Sequence, residues 1–252
     1  MPHADPASLR NKTALVTGGA KRIGAAIVEC LHDQQMRVAI HYRSSESEAA
    51  ALAGRLNDRR PGSTEMFCCD LAESGNPEAL IEQVIAWSGR LDLLVNNASS
   101  FYPTPLGSIT EAQWTDLVDS NMKAPLFLSQ AAIPALRSSS GNIVNIVDIH
   151  ATKPLRNHTV YVAAKAGLAM LTRSLAKELA PEVRVNGVAP GAIIWPQQGM
   201  TDDLKQQIIS QVPLGRGGRP EDIARAVLFL ARDATYSSGV IIAIDGGRSA
   251  GW

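Results

Sequence analysis

Cysteine is scarce: Cys30, Cys68 and Cys69 are the only three in 252 residues. An odd number with two adjacent makes a poor disulfide framework, and the spacing suits no zinc site, so a reducing compartment and no metal are expected. An excess of either charge is also missing. Lysine and arginine total 24 against 24 acids, so no net field draws the chain to nucleic acid or an anionic membrane. Nowhere do about 18 apolar residues run together, and the opening MPHADPASLRNK lacks the apolar stretch of a signal peptide. These absences leave a cytoplasmic globular protein as the expectation.

What is present is alternation. Short apolar runs at Thr13–Thr17, Arg37–Tyr42, Glu65–Cys69, Leu91–Asn96, Asn142–Val147, Val183–Ala189 and Val240–Ile244 read as strands. Being apolar on both sides, several suit a sheet covered on both faces. Between them, apolar i, i+3, i+4 spacing predicts helices at Ile23–Gln35, Glu46–Arg60, Pro77–Ser88, Ser120–Leu136, Val160–Leu179 and Glu221–Ala231. Seven strands alternating with six helices predict an α/β, Rossmann-type, doubly wound parallel sheet in a single domain, residues 1–252. The one long non-periodic stretch is Pro190–Met200, PGAIIWPQQGM, before TDDLKQQIISQV resumes a helical pattern. It is either a cover over a site, extending to about residue 212, or a plain surface excursion.

TGGAKRIG, Thr17 to Gly24, follows the first strand and opens the first helix. In that context Gly18 permits a tight turn and Gly24 a close helix–strand approach, while free helix N–H groups can take a pyrophosphate. Arg22 stands where a middle glycine is expected. The second strand ends His41, Tyr42, Arg43, Ser44, Ser45, without the carboxylate that holds the ribose 2′-OH of NAD. A cation there suits a 2′-phosphate, each charge-assisted hydrogen bond adding ~1.5–3 kcal/mol, which implies NADPH. Asp70, ending the third strand, either accepts from an adenine amino group or caps the next helix.

Tyr161 and Lys165 lie one turn apart on a helix face in YVAAK. Tyrosine ordinarily ionises near pH ~10, and a neighbouring ammonium favours the phenolate, easing proton exchange near neutrality. Such pairs occur by chance on surfaces; placed after the fifth strand of a nucleotide-binding sheet, this one predicts a reaction centre.

By these pieces, with NNAS, Asn121 in DSNMKAPL, VRVNGVAPG and the late DGG, the chain resembles the short-chain dehydrogenase/reductase family over essentially its whole length. The resemblance implies a catalytic set of Asn121, Tyr161 and Lys165, with Asn121 supporting a proton-relay water and Lys165 holding the nicotinamide ribose. It extends the cofactor contacts to Ile23, Leu71, Asn97, Ala98, Ser99, Pro190 and Gly191. One position departs: the family's serine is Asp148 here. An ionised aspartate only accepts hydrogen bonds, so it repels a developing alkoxide and suits a substrate offering N–H donors. Pterins offer them, with C=N bonds that take hydride at carbon and a proton at nitrogen.

Asp148, Arg22 and NNASSFYPTPLG together are similar to the pteridine reductase subfamily. That likeness implies that Phe101 stacks a pterin, worth ~0.5–1.5 kcal/mol beyond burial, and that Ser99 and Arg22 bond pterin and cofactor phosphate. Phe101 can instead anchor a loop, and Asp148 can instead cap a strand end. Trp195 stands where many family members have a threonine, and is read as a wall of the substrate pocket. His150 and His158 are read as exposed or structural. The resemblance also implies a homotetramer, with Arg248 of the DGGRSAGW tail near a neighbour's site. The function expected is NADPH-dependent reduction of a pterin. A carbonyl reductase for a ketoacyl or sugar substrate, or a non-catalytic NADP-sensing protein, are the alternatives.

Overall fold

A computed structural model describes residues 8–193 and 201–251. Seven parallel strands form one sheet in the order β3-β2-β1-β4-β5-β6-β7. They are β1 (Thr13–Val16), β2 (Arg37–Tyr42), β3 (Thr64–Cys68), β4 (Leu93–Asn96), β5 (Asn142–Ile146), β6 (Arg184–Pro190) and β7 (Ile241–Ile244). Along β1, Ala14 and Val16 join one core while Leu15 joins the other; Leu93 and Val95 oppose Leu94 in the same way on β4. Successive side chains of a strand point to opposite faces, so a fully apolar run needs helices on both.

Those helices are α1 (Arg22–Asp33), α2 (Glu46–Arg59), α3 (Asn76–Ser88), α4 (Glu111–Val118), α5 (Ala124–Ser139), α6 (Thr159–Glu178), α7 (Asp202–Ser210) and α8 (Pro220–Arg232). The first core packs under α1, α2 and α8; the second under α3, α5 and the end of α6. The chain reverses its winding between β1 and β4, so the carboxyl ends of the strands open a crevice there, where ligands of such sheets bind.

The expected count of six helices is corrected to eight among the described residues. One addition is α7, which the helical pattern after Met200 foreshadows. The other is α4, placed ahead of the predicted start at Ser120. Thr110 starts it with a capping box, its hydroxyl accepting from the Gln113 N–H while the Gln113 side chain accepts from the Thr110 N–H. Thr-x-x-Gln was the readable signal, masked by only one buried residue in α4, Leu117. A π-helical turn, Asp119–Lys123, joins α4 to α5.

His41 locks the end of β2 to the first turn after β1. Its Nδ1 accepts from the Gly18 N–H at 3.2 Å, so the proton sits on Nε2, which donates to the Cys69 carbonyl at 3.1 Å. Burial of this ring pushes its pKa down from 6.5 to about 4. As pH falls the unfolded chain takes the proton first. The stability that neutral His41 contributes is therefore complete above pH 6.5 and lost between 6.5 and about 4. The gap corresponds to about 3 kcal/mol. Urea midpoints across that range should fall more steeply with acidity for the wild type than for His41→Gln, by about one proton. His32 and His150, also lowered by burial, add to the slope of both proteins alike. Equal slopes would show that His41 does not fold as a neutral ring.

Candidate active site

The glycine turn between β1 and α1 is fixed from below. Thr17 Oγ1 accepts the N–H groups of Asn97 and Ala98 at 2.9 and 3.0 Å, and Asn97 Nδ2 returns bonds to the carbonyls of Thr17 and Gly18. Gly18 has φ +59°, a left-handed conformation that glycine adopts without cost. A methyl group on Gly24 would drive into the Gly18 carbonyl oxygen, so only glycine lets α1 approach the turn this closely. The start of α1 has no side-chain cap and no acid in its first turn. A helix end with free N–H groups and no competing carboxylate fits a bound phosphate.

Arg22 occupies the left-handed region at φ +58°, where a non-glycine residue is strained. Its side chain, like those of Arg43 and Ser44, is exposed at the same edge of the sheet. Arg43 lies 3.7 Å from Asp70 and 4.0 Å from Asp116 on α4. Asp70 does not cap the next helix, whose N-cap is Gly75; one of its oxygens accepts from the Ala72 N–H within the turn and the other faces Arg43. His41, Tyr42 and Leu71 turn inward and are buried, while Ile23 is partly covered. Pro190 ends β6, and Gly191 packs so tightly on Asp245 that a Cβ there would stand 2.6 Å from the Asp245 Cβ.

Tyr161, Lys165 and Asp148 converge above β5. The Tyr161 hydroxyl donates to Asp148 Oδ2 at 2.8 Å, and Lys165 Nζ donates to the Ile146 carbonyl at 2.8 Å. Asp148 Oδ1 accepts from the His150 N–H at 2.8 Å and caps a short 3-10 turn, Ile149–Ala151. The cap and the partnership with tyrosine are thus both real, one per oxygen. Tyr161 and Lys165 are only 5% and 2% exposed.

Electrostatics here correct one expectation. Tyr161 is held well above the usual tyrosine range, first by burial and then by the Asp148 carboxylate that its hydroxyl bonds. The ammonium of Lys165 sits 5.8 Å from the ring centre and does not outweigh these effects. Burial lowers Lys165 to about 8, with Asp148 opposing the fall. The phenol therefore stands ready as a proton donor.

Around this centre, Phe101 remains 48% exposed, so it is no buried anchor for its loop. Its ring stacks on His158 at 4.7 Å and 14°, and meets Tyr161 edge to face at 4.8 Å. Asn121, in the π turn, uses both amide hydrogens on the Ser100 and Leu117 carbonyls at 2.9 Å, and accepts from Ser99 Oγ at 2.6 Å. Its side chain braces the Ser99–Ser100 segment; π turns often mark functional positions. His150 is buried, with Nδ1 against the Lys153 carbonyl. Arg248 bonds Gln211 at 3.1 Å; burial pushes its pKa down, and the Asp148 and Asp245 carboxylates oppose the fall. Trp195 lies outside the described residues. Among the described residues no His, Cys, Asp or Glu cluster could hold a metal ion, and no helix is long and apolar enough to cross a membrane.

Residue-type reasoning missed three contributors. Thr17 looks like any strand-end threonine, and Asp116 lies on the unforeseen α4. The third is a buried chain linking β4 to α6: Asn96 Nδ2 bonds Asn145 Oδ1 at 2.8 Å, and Asn145 Nδ2 bonds Thr172 Oγ1 at 2.9 Å. Asparagine inside two apolar strands was the available signal, since a buried amide needs partners.

A family model described as enoyl-(acyl carrier protein) reductase matches residues 18–249. Pteridine reductase 1 of Leishmania tarentolae is 38% identical, over 94% of this chain and 96% of that protein. A 3-oxoacyl-[acyl-carrier-protein] reductase of Staphylococcus aureus (strain N315) is 37% identical, over 94% and 97%. Its counterpart in Chlamydia muridarum (strain MoPn / Nigg) is 34% identical, over 96% and 98%. With a family model spanning nearly the whole chain, and relatives this similar over full length, the protein belongs to the short-chain dehydrogenase/reductase family of oxidoreductases.

Proposed function

We propose that this protein is an NADPH-dependent pteridine reductase. The observation that carries the reading is the 2.8 Å hydrogen bond from the Tyr161 hydroxyl to Asp148, a carboxylate where a carbonyl reductase needs a donor. NADPH, held at the glycine turn with Arg22 and Arg43 toward its 2′-phosphate, would supply a hydride. The uncapped start of α1 and the glycine cradle fit such a group.

Each oxygen of Asp148 accepts one protein hydrogen bond and retains capacity for a substrate N–H. Tyr161, kept protonated, delivers its proton to the ring nitrogen beside the reduced carbon. Charged Lys165 beneath the ring stabilises the phenolate left behind. Phe101 presents an exposed aromatic surface for a flat heterocycle. The family resemblance supports a homotetramer, and exposed Phe229 and Val240 by α8 and β7 supply apolar surface for one.

The similarity to 3-oxoacyl reductases favours a second reading, reduction of a ketoacyl carbonyl. NADPH oxidation against dihydropterins, dihydrofolate and simple ketones separates the two; turnover of ketones alone would establish the second. Neither activity would leave a nucleotide-sensing protein.

Asp148→Ser should lower pterin turnover by at least ~100-fold, the scale of lost proton-transfer catalysis, with NADPH binding retained. An unchanged rate would remove Asp148 from the mechanism. The pH profile of pterin reduction should hold below pH 8 and decline above it, as Lys165 loses its charge near its pKa of about 8. The sign follows because the active form is the protonated one. A rate that rises through pH 8 would contradict it. Arg22→Gly should relieve backbone strain and stabilise the cofactor-free chain by about 1 kcal/mol in thermal unfolding. It should weaken NADPH binding about tenfold while leaving NADH binding unchanged; equal loss for both would detach Arg22 from the 2′-phosphate.

A further inference from the structure

We infer that His158 is a positioning residue, which braces Phe101 and thereby sets where a flat substrate ring stacks. This rests on the proposed pterin reduction and adds a residue that no stated role covers. Three observations meet at His158. Its ring lies parallel to Phe101, at 4.7 Å and 14°. Its Nδ1 stands 2.8 Å from the Arg156 carbonyl, so that nitrogen carries a proton and the ring plane is fixed. Its backbone forms an isolated parallel bridge with Thr104, where the Thr104 N–H donates to the Asn157 carbonyl. The loop bearing Phe101 is therefore pinned to the entry of α6, the helix that carries Tyr161 and Lys165.

The consequence is directional. His158 covers one face of Phe101 and Tyr161 meets it edge to face, while 48% of the residue stays exposed. A heterocycle is confined to the surface that neither ring takes, beside the phenol that donates the proton. Burial elsewhere secures the loop: Thr104 is fully buried, and Tyr102 packs on the cluster of Leu117, Val160 and Tyr161. Bracing by His158 thus acts on the orientation of Phe101 more than on the loop's presence.

The test is steady-state kinetics of His158→Ala and His158→Phe with NADPH and 7,8-dihydrobiopterin. Losing the stacked ring should raise KM for the pterin about three- to tenfold, the scale of one aromatic pair. KM for NADPH and kcat should stay within about twofold, and His158→Phe should restore the pterin KM. An unchanged pterin KM in His158→Ala overturns the inference. So does an equal rise in both KM values, which marks general disruption, or equal impairment of His158→Phe, which marks a need for the imidazole itself. Absence of pterin turnover in the wild type is a different failure: it removes the functional reading, and the brace with it.

Discussion

A hydrogen bond between two acids governs this site. Tyr161 donates to Asp148 from a position 5% exposed, with the charges of Lys165 and Arg248 close enough to act on the carboxylate. Burial alone would keep tyrosine protonated; the carboxylate reinforces it. In the proposed reaction the phenol therefore enters as an acid. Lys165 then matters after the proton leaves, when a phenolate would otherwise stand beside a carboxylate in a dry pocket. Its own lowered pKa records the same burial.

That bond exists because a helix and a strand end are held in register. Tyr161, Lys165, Leu168 and Thr172 share the inward face of α6, where residues three and four apart align. Lys165 reaches the Ile146 carbonyl, and Thr172 reaches Asn145 one residue earlier on β5. Asn145 in turn bonds Asn96 across the strand pair that leads to the glycine turn. Buried polar groups of this kind are costly when unpaired, so they fix one arrangement of helix on sheet. The glycine turn and the Tyr161–Lys165 helix are thus joined through three buried side chains.

Much of this was legible in the sequence because the relevant signals are local. Apolar runs marked all seven strands to within two residues, and glycines at positions 18 and 24 marked the turn. The convergence of Tyr161, Lys165 and Asp148 was foreshadowed by helix spacing and one unusual aspartate. Other features were not, for physical reasons. The start of α4 shows almost no apolar stripe, since it buries Leu117 alone. The sign of the Tyr161 shift depends on burial and on the distance to Asp148, which spacing cannot supply. The fate of His41 depended on which nitrogen faced Gly18. His158 looked like a loop histidine until its ring lay against Phe101.

Overall likeness cannot choose between the relatives, 38% identical on one side and 37% on the other. The sheet, the glycine turn and the helix carrying Tyr161 and Lys165 would serve either chemistry. A fold hosts many reactions, and the reaction is decided where charge develops. On a carbonyl, negative charge grows at oxygen, and a carboxylate at position 148 would oppose it. On a ring C=N, the nitrogen is protonated as hydride arrives, and neighbouring N–H groups offer donors that a carboxylate accepts. In the proposed reading, Asp148 is therefore the residue that separates the two substrate classes. Phe101 points the same way from an independent direction, since an exposed, braced aromatic ring suits a planar heterocycle better than an extended acyl chain.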